Sequence, residues 1–420
     1  MSFPRYEAYK DSGVDWLGEV PEHWNVAPAK WLIRSASGGN SIKGHCADEP
    51  IDDLYPGFSA SGQDVWLANY DFNIPGIVLS AVGARCGKTF KADGQWGVVA
   101  NTHCLFPNQE SDRNYLWFLT NQEDWWEKGG SAQPFVKVSD TLARKWVFPP
   151  LPEQIQIAAF LDRETAKIDS LVAEQRRLMA LLKEKRQAVI SHAVTRGLNP
   201  HVPLKPSGIE WLGDVPAHWE VLSLRRCSTR VQTGGTPSSE PPSTDIDDGF
   251  VWFTPGDFGD SLRLTVSDRK ISRSVAESGE AKVFPPGSAL IVSIGATLGK
   301  VGFAESASSG NQQINAVTPN SRVDGYFLTY SLLVKTEVMR FLSNASTIGI
   351  MNQEKTKDIW LSVPPRQEQD NITVYLDTES AKFDTLTTEA QRAIDLLQER
   401  RTALISAAVT GQIDVRGAVQ

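Results

Sequence analysis

Two short segments come close to the spacing of a phosphate-binding loop. Gly83-Ala84-Arg85-Cys86-Gly87-Lys88 and Gly295-Ala296-Thr297-Leu298-Gly299-Lys300 each follow a β-type run. A P-loop needs four residues between its glycines, so that successive amides can wrap the phosphates; here there are three. Thr89 could stand in for the Ser or Thr of such a loop, but its counterpart is Val301. Both segments therefore read as tight turns after buried strands, with Lys88 and Lys300 exposed and able to touch phosphate. A base methyltransferase would need a Gly-rich cofactor loop and a loop that stacks the extruded base. Asn73-Ile74-Pro75-Gly76 lacks the second proline and the aromatic of an Asn-Pro-Pro-aromatic loop. Asp268, Glu280 and Lys282 have the residue types of a metal-dependent nuclease, two carboxylates for Mg²⁺ and a lysine to polarise phosphate or water. Acid-x-Lys triplets are common by chance, however, and the first half of the chain does not repeat this one. The histidines do not cluster with cysteines at metal spacing, so no metal or cofactor is expected. His23 and His218 each precede a tryptophan and are expected to cap or pack beside Trp24 or Trp219; His103-Cys104 reads as interior strand.

The chain has 420 residues, which suggests two to four domains at roughly 150 residues each. No run approaches the roughly 18 apolar residues of a membrane span, and mean hydropathy is -0.27. The first residues lack the basic-then-apolar order of a secretory signal. Cys46, Cys86, Cys104 and Cys227 form neither a disulfide framework nor a C-x-x-C pair. The expected location is the cytoplasm, with no membrane contact. Net charge is -8 and the pI about 5.4, which by itself argues against a free-standing nucleic-acid binder.

The dominant feature is a duplication. Residues 12–26 match residues 207–221 at ten of fifteen positions, 195 apart. The segment from Pro149 matches that from Pro364, 215 apart, so the second copy carries about 20 more residues between its flanks. Inside the copies, residues 78–88 resemble 290–300, and Asn101-Thr102-His103 resembles Asn311-Gln312-Gln313. The interiors share a fold while most surface residues differ, as two modules reading different things would.

After each Pro-rich flank comes a long helix. Residues 153–194 hold no Pro or Gly, with Gly197 and Pro200 just beyond, and read as helix in two sections that meet near Asp162 to Lys167. A stripe at alternating spacing runs through Ile168, Leu171, Gln175, Leu178, Leu182, Lys185 and Val189. The second copy gives Phe383, Leu386, Ala390, Ala393, Leu397, Arg400 and Leu404, with the polar break recurring at Lys185 and Arg400. Matching seams suggest that the two helices pair as a coiled coil; the other reading packs each on its own domain. At 1.5 Å per residue such a rod spans roughly 45–60 Å, more than one turn of B-DNA. Residues 27–148 and 222–360 alternate short β-type runs with turn residues, and each contains one helix candidate, Asn114 to Lys128 and Asp324 to Leu342. The fold class is thus mixed α/β or α+β, in the order globular, rod, globular, rod, with an internal pseudo-two-fold repeat.

Trp-Leu-Gly-Glu-Val-Pro-Glu-His-Trp (16–24), Pro-Pro-Leu-Pro-Glu-Gln (149–154) with Phe-Leu-Asp (160–162), and Ala-Val-Thr-Arg-Gly (193–197) all recur in the second copy. In these blocks the chain resembles the specificity subunit of type I restriction-modification enzymes over essentially its whole length. The resemblance implies a non-catalytic, DNA-reading subunit. Its two target-recognition domains would alternate with two helical regions that pair as an antiparallel coiled coil. Each domain would read one half of a bipartite site in double-stranded DNA. The helices would dock two methyltransferase subunits, and restriction subunits would complete the nuclease. The implied division is 1–148 (first recognition domain with its N-terminal segment), 149–200 (first helical region), 201–360 (second recognition domain) and 361–420 (second helical region). The family's Gly-Gly-Thr-Pro turn matches Gly234-Gly235-Thr236-Pro237; the first domain departs from it with Gly38-Gly39-Asn40-Ser41. Each domain carries three more acids than bases, 14 against 11 in residues 20–148 and 17 against 14 in residues 207–360. DNA contact must then rest on a local patch or on the partners.

Candidate DNA-contacting residues are basic and polar side chains in glycine-marked loops where the copies diverge. They are Lys43, Arg85, Lys88, Lys91, Gln133 and Lys137 in the first domain. In the second they are Arg230, Thr236, Ser238, Lys300, Asn311, Gln312 and Asn352. Lys88 and Lys300 suit phosphates. Gln133 and Asn352 have the amide that pairs with an adenine edge.

Overall fold

A computed structural model describes all residues except 1–2, 38–45, 48, 50–52, 123, 260, 344–348 and 419–420. Lys43 and the Gly38–Ser41 segment lie outside the described residues. The chain divides into two compact units, Met1–Arg176 with Gln391–Gln420, and Arg177–Ala390.

In the first unit, β1 (Tyr9–Asp11) and β2 (Glu19–Pro21) form a hairpin beside the fully buried Trp24. β3 (Asn25–Pro28) pairs with β14 (Lys145–Phe148), so the strand entering the domain lies beside the strand leaving it. Everything between is an insertion at one point of the scaffold. It comprises β4 (Ile33–Ser37), β5 (Cys46–Ala47), β6 (Tyr55–Ser59), β7 (Gly62–Leu67), β8 (Gly76–Ser80), β9 (Thr89–Ala92), β10 (Gly97–Val98), β11 (Thr102–Pro107), α1 (Arg113–Thr120), β12 (Lys128–Gly129), β13 (Phe135–Val136) and α2 (Val138–Ala143). One sheet has the order β4-β11-β8-β9, another β10-β6-β7-β5. All five residues of β8 are buried because both faces are covered. Ile77 and Leu79 pack with Tyr115, Leu116 and Leu119 of α1, while Val78 faces Phe58, Trp96 and Phe106. The helix is shorter than its sequence suggests. The Trp126 indole N–H donates to the Thr120 carbonyl at 2.7 Å, and the chain turns there. α3 (Leu151–Arg196) follows as one continuous helix, without the two sections expected.

The second unit repeats the plan. β15 (Leu204–Pro206) and β16 (Asp214–Pro216) form the hairpin, and β17 (Glu220–Ser223) pairs with β26 (Trp360–Val363). The insertion holds α4 (Leu224–Cys227), β18 (Ser228–Thr233), β19 (Gly249–Phe253), β20 (Arg263–Leu264), β21 (Lys270–Ser272), α5 (Arg273–Ser278), β22 (Ser288–Val292), β23 (Val301–Ala304), β24 (Ser308–Gly310), β25 (Ile314–Pro319), α6 (Gly325–Leu333), α7 (Thr336–Ser343) and α8 (Gln353–Lys357). The sheet order β18-β25-β22-β23-β20 matches the first unit's β4-β11-β8-β9 with one strand added. Ala289 and Ile291 face α6, whereas Leu290 and Val292 face Phe253 and Phe284. The helix expected over 324–342 is two helices, α6 and α7. α9 (Arg366–Val409) ends the repeat.

Glu-Gln at each helix start joins these parts. Gln154 donates to the Pro149 and Glu110 carbonyls and accepts the Asp112 N–H at 2.9 Å. Gln369 donates to the Pro364 and Arg322 carbonyls and accepts the Asp324 N–H at 2.7 Å. Asp112 and Asp324 are the N-caps of α1 and α6, so one amide fixes the domain helix to the long helix. Glu153 meets His23 Nε2 at 2.7 Å and accepts the Tyr6 hydroxyl at 2.7 Å. Burial and this carboxylate together raise the Tyr6 pKa far above its ordinary value. Glu368 meets His218 at 2.8 Å and accepts the Trp219 indole N–H at 3.1 Å. Beyond lying edge-on to their tryptophans, the two histidines thus bond the acid at a helix N-terminus.

The long helices pack together antiparallel within each unit. In the first, Ile157 and Ala158 share a core with Ile405 and Ala408, and Asp169 meets Arg401 at 3.1 Å. In the second, Ile190 and Ala193 share a core with Ile372 and Leu376, and Arg186 meets Asp384 at 2.5 Å. The covered positions on α3 step by four and three through Leu161, Thr165, Ile168, Val172, Gln175, Met179, Leu182, Arg186, Val189 and Ala193. On α9 they run through Leu376, Ser380, Phe383, Thr387, Ala390, Ile394, Leu397, Arg401, Leu404 and Ala408. The expected stripe requires correction at every second place. Leu171, Leu178 and Leu386 are 43–46% exposed, and Val172, Met179 and Thr387 take those seam positions. The polar break is Arg186 and Arg401, not Lys185 and Arg400, and each arginine is paired with the partner helix. Among the described residues no helix is long and apolar enough to cross a membrane.

Candidate nucleic-acid interface

The glycine turns are tight because four glycines adopt positive φ, Gly83 (97°), Gly87 (95°), Gly295 (96°) and Gly299 (91°), where a Cβ would be strained. In each copy the turn closes on its own strand. Ser80 N–H donates to Lys88 O at 2.8 Å and Gly87 N–H to Ser80 O at 2.9 Å; Val292–Lys300 and Gly299–Val292 repeat both bonds. Two further loops are stitched to it. Ala81 N–H donates to Asn101 O and Val136 N–H to Ala81 O; Ser293 N–H donates to Gln313 O and Met351 N–H to Ser293 O. The structural equivalent of Asn101 is therefore Gln313, two places beyond the match that sequence similarity suggested. Three loops from distant parts of each domain thus make one edge.

In the first unit this edge is basic. Arg85 and Lys88 stand exposed on the turn, Arg85 donating to the Ser61 carbonyl at 3.1 Å. Gln133 and Lys137 stand exposed on the adjoining β12–β13 hairpin. Lys128 joins them unforeseen; its Cε lies 3.2 Å from where a Cβ on Gly87 would be. Among the described residues none of Arg85, Lys88, Lys128 and Lys137 is in an ion pair. Lys91 is elsewhere. It sits on β9 with its ammonium 3.4 Å from Asp162 of α3, so the structure points it at the helix and away from this edge.

The second unit's edge is polar. The Thr236 hydroxyl donates to Gln312 Oε1 at 2.9 Å, and the Asn311 amide donates to Gln313 Oε1 at 3.0 Å. Gly234 is required there, since a Cβ would fall 2.2 Å from the Gly310 carbonyl. Lys300 is exposed on its turn, yet its ammonium donates to the Phe258 carbonyl at 2.7 Å. Asn352 caps α8, its side-chain Oδ1 accepting the Lys355 N–H at 2.9 Å, so a bidentate base contact competes with the cap. Ser238 gives its N–H to Glu280, and Arg230 lies exposed three residues back from the Thr233 end of β18. Glu280 is occupied as a loop staple. Hydrogen bonds from Ser239 and Ser238 hold its pKa below the ordinary value, and among the described residues no acidic, His or Cys group is arranged for a metal.

A family model described as the type I restriction modification DNA specificity domain matches residues 67–178 and 216–395. The chain belongs to this family. It is similar to the Type I restriction enzyme EcoDI specificity subunit of Escherichia coli, 22% identical over 94% of this chain and 90% of that one. The StySPI specificity subunit of Salmonella potsdam is 24% identical over the same shares. A chain from a solved type I R-M system superposes with a TM-score of 0.72 at 16% identity, covering 93% of this chain and 98% of that chain, and shares the fold. This chain is a non-catalytic specificity subunit whose task is DNA sequence recognition. That task fits two edges of one design carrying different side chains. Backbone bonds hold each edge in place, while the side chains it presents are what differs between copies.

Proposed function

We propose that the specificity subunit reads a two-part site in double-stranded DNA, one part by each unit, through the edge built on its glycine turn. The duplication carries this reading: the turn closure and both loop stitches recur bond for bond, while Arg85, Gln133 and Lys137 give way to Thr297 and the Thr236–Gln312 pair. In this reading Arg85, Lys88, Lys128 and Lys137 meet phosphates, which position a domain, and Gln133, Asn311 and Gln312 reach base edges. We further propose that the helices dock two modification subunits, and that restriction subunits join that complex. In support, each unit exposes the same two leucine positions, Leu171 and Leu396 in the first, Leu386 and Leu181 in the second. Large apolar side chains repeated on an open helix face mark a surface that a partner covers. The test exchanges residues 27–148 for those of another family member and maps the methylated bases in DNA modified by the assembled complex. One half-site should change while the other and the spacer stay. A change in both halves would refute independent reading.

A further inference from the structure

We propose that Asp162 and Asp377 are positioning residues, each fixing the tilt of its own recognition domain on the helix pair by holding a cation that the domain presents across an aromatic ring. The two aspartates end Phe-Leu-Asp and Tyr-Leu-Asp at equivalent places on α3 and α9, 215 residues apart. Asp162 is exposed and Asp377 half-buried, and both stand outside the covered seam, so pairing of the helices does not require them. In the first unit the Lys91 ammonium lies 3.4 Å from Asp162 and 4.5 Å above the Trp117 ring. Trp117 belongs to α1, and its indole N–H donates to Thr89 at the head of Lys91's own strand. In the second unit Arg263 lies 3.1 Å from Asp377, its guanidinium carbon 4.2 Å above the Tyr326 ring. Tyr326 and Tyr330 of α6 also donate their hydroxyls to Asp377, at 2.6 and 2.8 Å. Arg263 has a second acid, Glu305.

The cations are not equivalent. The residue that corresponds to Lys91 is Phe303, whereas Arg263 comes from β20, a strand with no counterpart among the first domain's described residues. Two domains with different surfaces thus bring a stacked cation to the same carboxylate from different strands. Simple inheritance from the ancestral repeat would have kept the cation's position along with the aspartate's. The shared outcome marks a requirement on how a domain seats. Half-exposed ion pairs contribute little to stability. Their directional content is greater, because a cation confined between a ring face and a carboxylate resists sideways motion of the sheet that carries it.

This inference deepens the two-part reading and rests on it, since domain tilt matters for the distance between half-sites. The test uses the full chain assembled with its modification subunits, on duplexes carrying the mapped site with the native spacer or one base pair more or less. Asp377→Asn and Arg263→Gln should each lower the preference for the native spacer about two- to fivefold, the range to which the loss of one exposed ion pair converts. Arg263→Lys should keep the parental profile, and half-site sequence preference should not move. Asp162→Asn and Lys91→Gln should do the same through the first domain. Asp377→Asn or Arg263→Gln keeping the parental spacer profile overturns the clamp alone. A parent protein indifferent to spacer length overturns the two-part site and the clamp with it. A large fall in melting temperature in Asp377→Asn also overturns it, because the pair would then hold the fold together instead of aiming a domain.

Discussion

Replacing Gln369 by Ala should unfold the second unit before the first. The side chain is fully buried and makes three hydrogen bonds, to the Pro364 carbonyl, the Arg322 carbonyl and the Asp324 N–H. Three such bonds contribute about 1 kcal/mol each, and an orphaned buried donor costs about 1–3 kcal/mol more, which places the loss at roughly 4–6 kcal/mol. With a urea dependence of about 1–3 kcal/mol per molar, the midpoint of that unit should fall by at least about 1 M. Urea titration followed by tryptophan fluorescence reads this, because Trp219 sits wholly buried in the affected core. Gln154→Ala should shift the first unit's transition in the same way. Gln369→Glu should be no milder near neutral pH, since it faces two carbonyls with a carboxylate, and it should recover as acid protonates the side chain. A loss below about 1 kcal/mol in Gln369→Ala would refute the amide's role in joining domain to rod.

Three other outcomes follow, two from single sites and one from a pair. Gly411→Ala should cost about 1–3 kcal/mol, read from thermal melting, because Gly411 has φ +76° and a Cβ would lie 2.4 Å from Pro21. Burial lowers the Lys335 pKa to about 8 from 10.5. The folded chain then binds fewer protons than the unfolded one between those values, so this residue's penalty is full below pH 8 and fades as pH rises to 10.5. Lys335→Met should therefore stabilise by roughly 3 kcal/mol at pH 7 and by little above pH 10; equal gains at both would refute the charge explanation. Arg85→Ala with Lys88→Ala should weaken binding to all sequences alike. It should also flatten the plot of log affinity against log salt, by about 0.9 for each phosphate that the pair neutralises.

Much of this architecture was legible in the sequence, because duplication and heptad spacing survive as patterns along a line. What was not legible depends on residues far apart in the chain. The seam shows why. Ile168, Gln175, Leu182 and Val189 fit either a three-four or a four-three step, and leucines lie on both sides of them. A stripe through Leu171 and Leu178 takes the more apolar side. The fold instead covers Val172 and Met179 and leaves the leucines exposed, so hydrophobicity was not the discriminating signal. The paired charges are. Asp169 and Asp384 are repeat equivalents, as are Arg186 and Arg401, and an antiparallel pairing brings each acid to the other helix's arginine. Crossed charges of this kind are visible in the sequence once the repeat is aligned. Lys91 could not be placed the same way, since Asp162 is 71 residues further on and nothing in a β-type run says which face it serves.

The acidic total is the remaining tension with a DNA-reading role, and it resolves by distance. Charge acts through water over about 8 Å at physiological salt, so acids beyond that range are largely screened from a phosphate at the turn edge. Several acids already have partners inside their unit: Asp162 and Asp169 in the first, Asp377, Asp384 and Glu305 in the second. Glu153 and Glu368 are engaged at the helix starts. The cations of the first edge are in no such pairs among the described residues, so a net charge of -8 does not describe the local charge of that edge. The second edge has Lys300 bound to a carbonyl and a polar network around Gln312. It should therefore rely more on hydrogen bonds to bases and less on phosphates. Neutralising its one turn lysine should change the salt dependence less than losing Arg85 and Lys88 does from the first. A larger effect at Lys300 would mean that the electrostatic contact lies mainly in the second unit.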